Sequence, residues 1–291
     1  SYFSGARLAG YLLIFVIFIM LLSKYYADSP RGVATRTAEL INKVELNKSK
    51  QIMFSLICSL VFLIVFCLPL FQLIYWQLSE SSINLLSNFN LLINSSILGF
   101  AVGIFTIFFA TALSLSYRQS NKLKSLISIS TSGYAIPGSV ISAGLLIGFD
   151  AIFGTSITIY GIFGLILCLS LRFMTPAYNY SSSSLANISK SSENALSLIP
   201  SNPLKAFIAF YYPQMKSALF LGFMIVFIES VKEQAATLLL RPVGFDTLST
   251  KIYNFTSEGE WEMAASPSLL LIFLSLAFVY LINKNIELNT K

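Results

Sequence analysis

Seven apolar stretches dominate this chain, and each is close in length to a helix that crosses a bilayer, for which about 20 apolar residues are needed. They cover roughly 8–22, 52–76, 92–117, 126–149, 152–173, 215–240 and 263–282. The runs are continuous, whereas the strands of a transmembrane β-barrel alternate apolar and polar residues. Hydrophobic residues make up 55% of the chain and charged residues 11%, against about 25% charged in a soluble domain. The expected fold is therefore all-α, a polytopic transmembrane helical bundle of about seven spans.

The formal charge of +6 does not point to nucleic acid, because the basic residues stand at the ends of apolar runs. If the linker at 24–50 lies on the inner side, fifteen basic residues fall inside and four outside. That bias is the positive-inside pattern of a protein embedded in membrane lipid. The same linker is the expected domain boundary. Cys58, Cys67 and Cys168 sit within apolar runs without CxxC spacing, so they read as small core residues rather than metal ligands or disulfide partners.

One polar segment, 175–213, interrupts the apolar pattern and is expected to form a rigid element on the water side. It holds a serine run from Ser181 to Ser184, then Glu193-Asn194-Ala195, a Pro200-Ser201-Asn202-Pro203 turn, and Tyr211-Tyr212-Pro213. Two apolar stretches carry irregularities. The fourth contains Gly133-Tyr134-Ala135-Ile136-Pro137-Gly138, which reads either as a proline kink or as a bent helix lining a central path. The sixth ends with Glu229, Lys232 and Glu233, which at helical spacing share one face. Ionisable groups at membrane depth normally face a bundle interior or a cavity. This trio is either a self-neutralising cluster or part of a solute path offering carboxylates to a cation.

No catalytic set is present. There is no histidine, GxSxG, HExxH or phosphate-binding P-loop, so the reading is a non-enzyme without a nucleotide site. Any ATP used in pumping would be bound by a separate subunit, and no cofactor is expected on this chain.

The polar segment resembles the cytoplasmic "EAA" loop of binding-protein-dependent ABC importer permeases. Glu193, Ala195, Ser197-Leu198, Pro203-Leu204 and Tyr212-Pro213 align with it. Asn194 replaces the first motif alanine, and Ile199-Pro200 stands where the motif glycine belongs. Tyr134-Ala135-Ile136-Pro137-Gly138 is similar to the family's "YAxPG". The run from Glu229 through Arg241-Pro242 to Gly244-Phe245-Asp246-Thr247-Leu248 is similar to the ferric-iron subgroup, with Gln234-Ala235 replacing its Leu-Pro.

The resemblance implies a six-helix, MetI-like permease domain at 51–291, preceded by a linker at 24–50. The stretch at 1–23 would be the last helix of a preceding permease half, making the sequence the carboxy-terminal part of a two-domain permease. Ser192, Glu193, Ala195, Ser197, Leu198, Pro200, Pro203 and Leu204 would couple to ATP-binding cassette subunits. Tyr134, Pro137, Gly138, Glu229, Lys232 and Glu233 would line the translocation path. A periplasmic solute-binding protein would deliver cargo to this bacterial inner-membrane protein. Ferric iron is the implied solute, with thiamine, polyamine or phosphonate as alternatives. An ion-coupled secondary carrier or channel is the alternative of another class.

Overall fold

The computed structural model describes residues 10–11, 14–15, 18–19, 47–79, 88–119, 124–154, 161–197 and 202–290. The chain divides into two compact units, Ser1–Trp76 and Gln77–Lys291.

In the first unit, the six described residues of the leading apolar stretch are helical and exposed. The rest of that predicted span lies outside the described residues. Helix α1, Lys48–Ser79, begins in this unit; at 32 residues it is long enough to cross a membrane. Its ladder widens to a π turn over Leu63–Cys67, where the Leu68 N–H bonds to the Leu63 carbonyl. Pro69 follows two residues after the turn. Proline has no N–H and its ring crowds the carbonyl four residues back, so a wider turn just ahead of it relieves the clash.

The second unit is built on three helices that pack against one another. They are α2 (Phe89–Gln119), α6 (Met174–Ala186) and a helix at Leu204–Lys232, labelled α8. Between them in sequence come α3 (Lys124–Ser130), α4 (Gly138–Phe153), α5 (Ile162–Arg172) and α7 (Lys190–Ser197). After α8 follow α9 (Ala235–Leu240), α10 (Leu248–Glu258) and α11 (Ala265–Thr290).

Close approach in the core rests on small residues. Gly99 and Gly103 form a GxxxG step on α2. A Cβ at Gly99 would lie 2.8 Å from the Phe227 ring, and one at Gly103 would lie 2.6 Å from Phe223. Glycine thus lets two aromatic rings of α8 lie on the α2 backbone, the kind of contact that joins helices in lipid. Phe227 also stacks on Phe278 of α11, with ring centroids 3.8 Å apart. Buried hydroxyls bond to their own helix: Thr106 donates to the Val102 carbonyl at 2.6 Å and Ser230 to Val226 at 2.7 Å.

The segment expected to be polar and water-side is divided by the structure. Its first part, including the serine run, is α6 and lies in the core, with Ala177, Ser181 and Leu185 buried. Serine is small enough for close helix packing, and Ser181 shares a 3.2 Å hydrogen bond with Thr111 of α2. The last part is also helix, because α8 runs through Tyr211-Tyr212-Pro213. A second π turn, Phe207–Tyr211, accommodates Pro213 as the first accommodates Pro69. What remains between α6 and α8 is the short helix α7 and its flanks.

Four helices among the described residues are long and apolar enough to span a membrane, or five if α5 and α6 form one span bent by 55°. Helix α4 is apolar but shorter. The stretch at 126–149 is not one kinked helix. It consists of α3, a 3₁₀ turn at Gly133–Ala135, an extended Ile136, and α4 with Pro137 as its N-cap. The proline starts a helix here, which suits a residue with fixed φ and no N–H.

Candidate functional site

Two ion pairs organise the residues singled out by the sequence. The first lies around α7. Ser189 Oγ accepts the Ser192 N–H at 3.2 Å and caps the helix. Glu193 falls in the first turn of α7, where a negative charge is favoured by the helix dipole. Its carboxylate meets Arg118, from the last turn of α2, with Nε at 2.7 Å from Oε1. The two terminal nitrogens of Arg118 donate to the Leu185 and Ile188 carbonyls at the end of α6. Carbonyls at a helix end are the ones short of intrahelical donors, and here the Leu185 carbonyl also accepts the Ile188 N–H at 3.0 Å. Tyr211, in the π turn of α8, lies close to the same carboxylate. Arg118 and Glu193 thereby fasten α7 to the ends of α2 and α6. Beneath them, Leu185, Ile188, Met215 and Leu219 form a separate apolar cluster.

Of the predicted coupling residues, Ser192 is exposed and Glu193 is turned inward to Arg118. Ala195 and Ser197 lie on α7, and Leu204 is exposed at the start of α8. Pro203 opens the helical turn leading into α8. Leu198 and Pro200 lie outside the described residues.

The second pair lies where helices are interrupted. Helix α8 ends at Lys232; Glu233 is extended, with φ −72° and ψ 118°, and α9 starts at Ala235. Glu229, Lys232 and Glu233 do not form one mutually paired cluster. Lys232 pairs with Glu229 at 2.8 Å, on an exposed part of α8. Glu233 leaves the helix and meets Arg172 at 2.9 Å, from the last turn of α5. No proline or glycine marks this break. Glu233 itself stabilises it, because its carboxylate accepts the Ala236 N–H at 3.2 Å. Its carbonyl accepts the Thr237 hydroxyl at 2.8 Å and the Ser249 hydroxyl at 3.1 Å.

Pro137 and Gly138 come to the same place. A Cβ on Gly138 would strike Arg172 Nη1 and lie 2.5 Å from Glu233 Oε1. Tyr134 is half exposed, its ring 6.4 Å from that of Phe173. The structure thus unites Pro137, Gly138 and Glu233 around Arg172, with Tyr134 beside them and the Glu229–Lys232 pair separate. Arg118 and Arg172 were visible in the sequence only as charges at the ends of apolar runs. The available signal was an arginine beside such an end and a glutamate in a distant polar segment.

The long motif after α9 has structural duties. Arg241 pairs with Asp246, and the Asp246 carbonyl accepts from Asn94 Nδ2 at 2.9 Å. Gly244 takes φ 83°, a left-handed conformation that suits glycine. Thr247 caps α10 in a capping box with Thr250, and the Leu248 N–H donates to Ser95 Oγ at 2.8 Å. Among the described residues, no group of three or more His, Cys, Asp or Glu could hold a metal ion.

This arrangement of helices is the permease fold of ABC importers. It matches a chain of the MetNI methionine ABC transporter, in a structure of its inward-facing conformations. The TM-score is 0.56 at 17% identity, covering 69% of this chain and 95% of that one. In sequence, the chain is similar to ferric-iron permeases. It is 25% identical over 238 residues to the Fe(3+)-transport system permease protein FbpB 2 of Haemophilus influenzae, covering 78% of this chain and 46% of that protein. It is 29% identical over 124 residues to the ferric transport system permease protein FbpB of Actinobacillus pleuropneumoniae, covering 42% of this chain and 18% of the relative. The chain thus spans less than half the length of these curated relatives. No family model matches it. Together with the apolar helices, these likenesses mark a multi-pass protein of the bacterial inner membrane.

Proposed function

We propose that the chain is membrane-spanning permease sequence of an ATP-driven importer, and that its cargo is ferric iron. The observation that carries this reading is the 238-residue similarity to an iron permease, together with the shared fold. In this reading a periplasmic binding protein delivers the solute, and ATP is bound and hydrolysed by separate cassette subunits. A second permease half, on the same full-length polypeptide, completes the path, and the stretch at 1–23 is that half's last helix. Alternating access around a site near the bilayer midplane moves the cargo.

The short helix α7 is the part on which the ATPase subunits act. Ser192 and its exposed neighbours face the partner, while Glu193 ties the helix to Arg118. Asn194 lies on this helix, and Glu193, at the motif's glutamate position, is held inward by Arg118. Force applied to α7 passes directly into α2 and α6, because one guanidinium holds all three. ATP binding shifts the balance between states only through contacts that differ between them, and a rigid link makes those contacts felt in the core.

The test is uptake of ferric iron by proteoliposomes containing the full-length protein, its ATPase subunits and a cargo-loaded binding protein. The expected result is ATP-dependent uptake that is lost in Glu193→Arg, with insertion retained. Uptake without the ATPase would instead favour a channel or ion-coupled carrier. Transport of thiamine, a polyamine or a phosphonate, with none of iron, would replace the solute.

A further inference from the structure

Three helix breaks, far apart in sequence, meet at one ion pair. The α5–α6 break lies at Phe173, the α8–α9 break at Glu233, and the break before α4 spans Gly133 to Pro137. Arg172 stands at the first, and its partner Glu233 is the second. The third reaches both, because the space for a Cβ on Gly138 is filled by Arg172 and Glu233. The first and third breaks also touch through backbone. A Cβ on Gly133 would strike the Leu171 carbonyl and lie 3.4 Å from the Arg172 Cα. The Thr175 hydroxyl donates to the Thr131 carbonyl across the same seam.

A break in an apolar helix leaves backbone groups without partners, and these must be satisfied inside the protein. Glu233 does this for the start of α9 and also draws in α10 through Ser249. Helix ends of this kind are where changes in backbone angle are absorbed in domain motions. A single charge pair that touches three of them fixes their mutual angles. Arg172 also has a buried Nε with no partner among the described residues, so the guanidinium holds a donor that this arrangement does not use.

We propose that Arg172 is a positioning residue of the transport cycle, pinning three hinges through Glu233, and that the cycle proceeds by opening this pair. Glu233 is then the arginine's partner and not a ligand for the cargo. The inference rests on the importer reading for its link to transport, but the pin itself can be tested without transport.

The first experiment reads geometry. Spin labels are placed at Ile129 and Ile147, exposed positions before and after the break. The background is full-length protein in nanodiscs, with its accessible cysteines, Cys58 and Cys67 among them, replaced by serine. The distance distribution is expected to be narrow in the parent protein and shifted or broadened in Arg172→Gln and in Glu233→Gln. It is expected to be restored in the exchanged pair Arg172→Glu with Glu233→Arg. Unchanged distributions in both single variants would overturn the pin.

The second experiment reads iron transported per ATP hydrolysed in the reconstituted assembly. Both single variants are expected to lower this ratio about tenfold, within the usual range of allosteric couplings, while Arg172→Lys keeps most of it. A normal ratio in Glu233→Gln would overturn the role in transport. If the parent assembly shows no ATP-driven uptake, the importer reading fails, and the label distances still decide whether the pin exists.

Discussion

Two arginine–glutamate pairs hold this molecule together, and they differ in what they join rather than in how deeply they lie. Arg118 and Glu193 have side chains 19% and 17% exposed, while Arg172 and Glu233 are 22% and 10% exposed. Burial therefore does not separate them. The first pair links the ends of continuous helices, with two further carbonyls on the same guanidinium, and so makes a rigid corner. The second pair sits where helices are interrupted, and so makes a place that can rearrange. The proposed importer function calls for both properties: a stiff element to receive force, and hinges to convert it. The comparison teaches that similar chemistry serves either purpose, depending on the backbone around it.

The comparison can be broken most severely at the rigid corner. Arg118→Glu would set two carboxylates against each other and take the arginine's donors away from the Leu185 and Ile188 carbonyls. Each buried acceptor left this way costs about 1–3 kcal/mol, so a clear fall in melting temperature and near-complete loss of coupled uptake are expected. A melting curve matching the parent protein would show that α7 is held by something else.

Gly138→Ala attacks the hinge region. The added methyl falls on the Arg172–Glu233 pair, and overpacking of this kind costs about 1–3 kcal/mol. Gly144→Ala, where no atom lies within 4 Å of the new Cβ, supplies the control. It is expected to be neutral or slightly stabilising, since glycine in a helix is disfavoured by about 0.5–1 kcal/mol relative to alanine. Equal denaturation behaviour for the two variants would refute the crowding at 138.

Thr247→Ala removes a helix cap that belongs to neither pair, although its hydroxyl touches Ser249 beside the Glu233 carbonyl, and should cost about 1 kcal/mol. Hydrogen exchange is expected to speed up in α10 and stay unchanged in α7. Smallest of all, Lys232→Ala breaks the more exposed third pair, in which the two side chains are 47% and 32% exposed. Such pairs contribute little, and a shift within about 0.5 kcal/mol is expected. A large destabilisation by thermal melting would place Lys232 among the structural charges.

The helical class was legible because apolar runs of bilayer length leave few other folds open; α1, α2 and α11 fall on predicted stretches, while the stretch at 215–240 is divided between α8 and α9. Helix α6 was misread for a definite reason. Average hydropathy counts serine as polar, but a serine on a helix can hydrogen-bond within the protein and then packs as a small residue, as Ser181 does against Thr111. The break at Glu233 was hidden because the sequence has Gln234-Ala235 where the ferric-iron pattern it resembles has Leu-Pro. The interruption persists through the capping contacts of Glu233, which no local pattern reveals. Arg118 was counted only for orientation, since its partner lies 75 residues away. Tyr134-Ala135-Ile136-Pro137-Gly138 was found for its proline, yet the structural demand falls on the glycine. Its neighbour Arg172 supplies that demand from another helix.

The most direct measurement is the number of iron ions imported per ATP hydrolysed, in the assembly built with Arg118→Gln beside that built with the parent protein. If α7 drives the core through Arg118, ATP hydrolysis continues in the variant while iron uptake falls about tenfold or more. A ratio equal to that of the parent would contradict the account, because force would then be reaching the helices by another route.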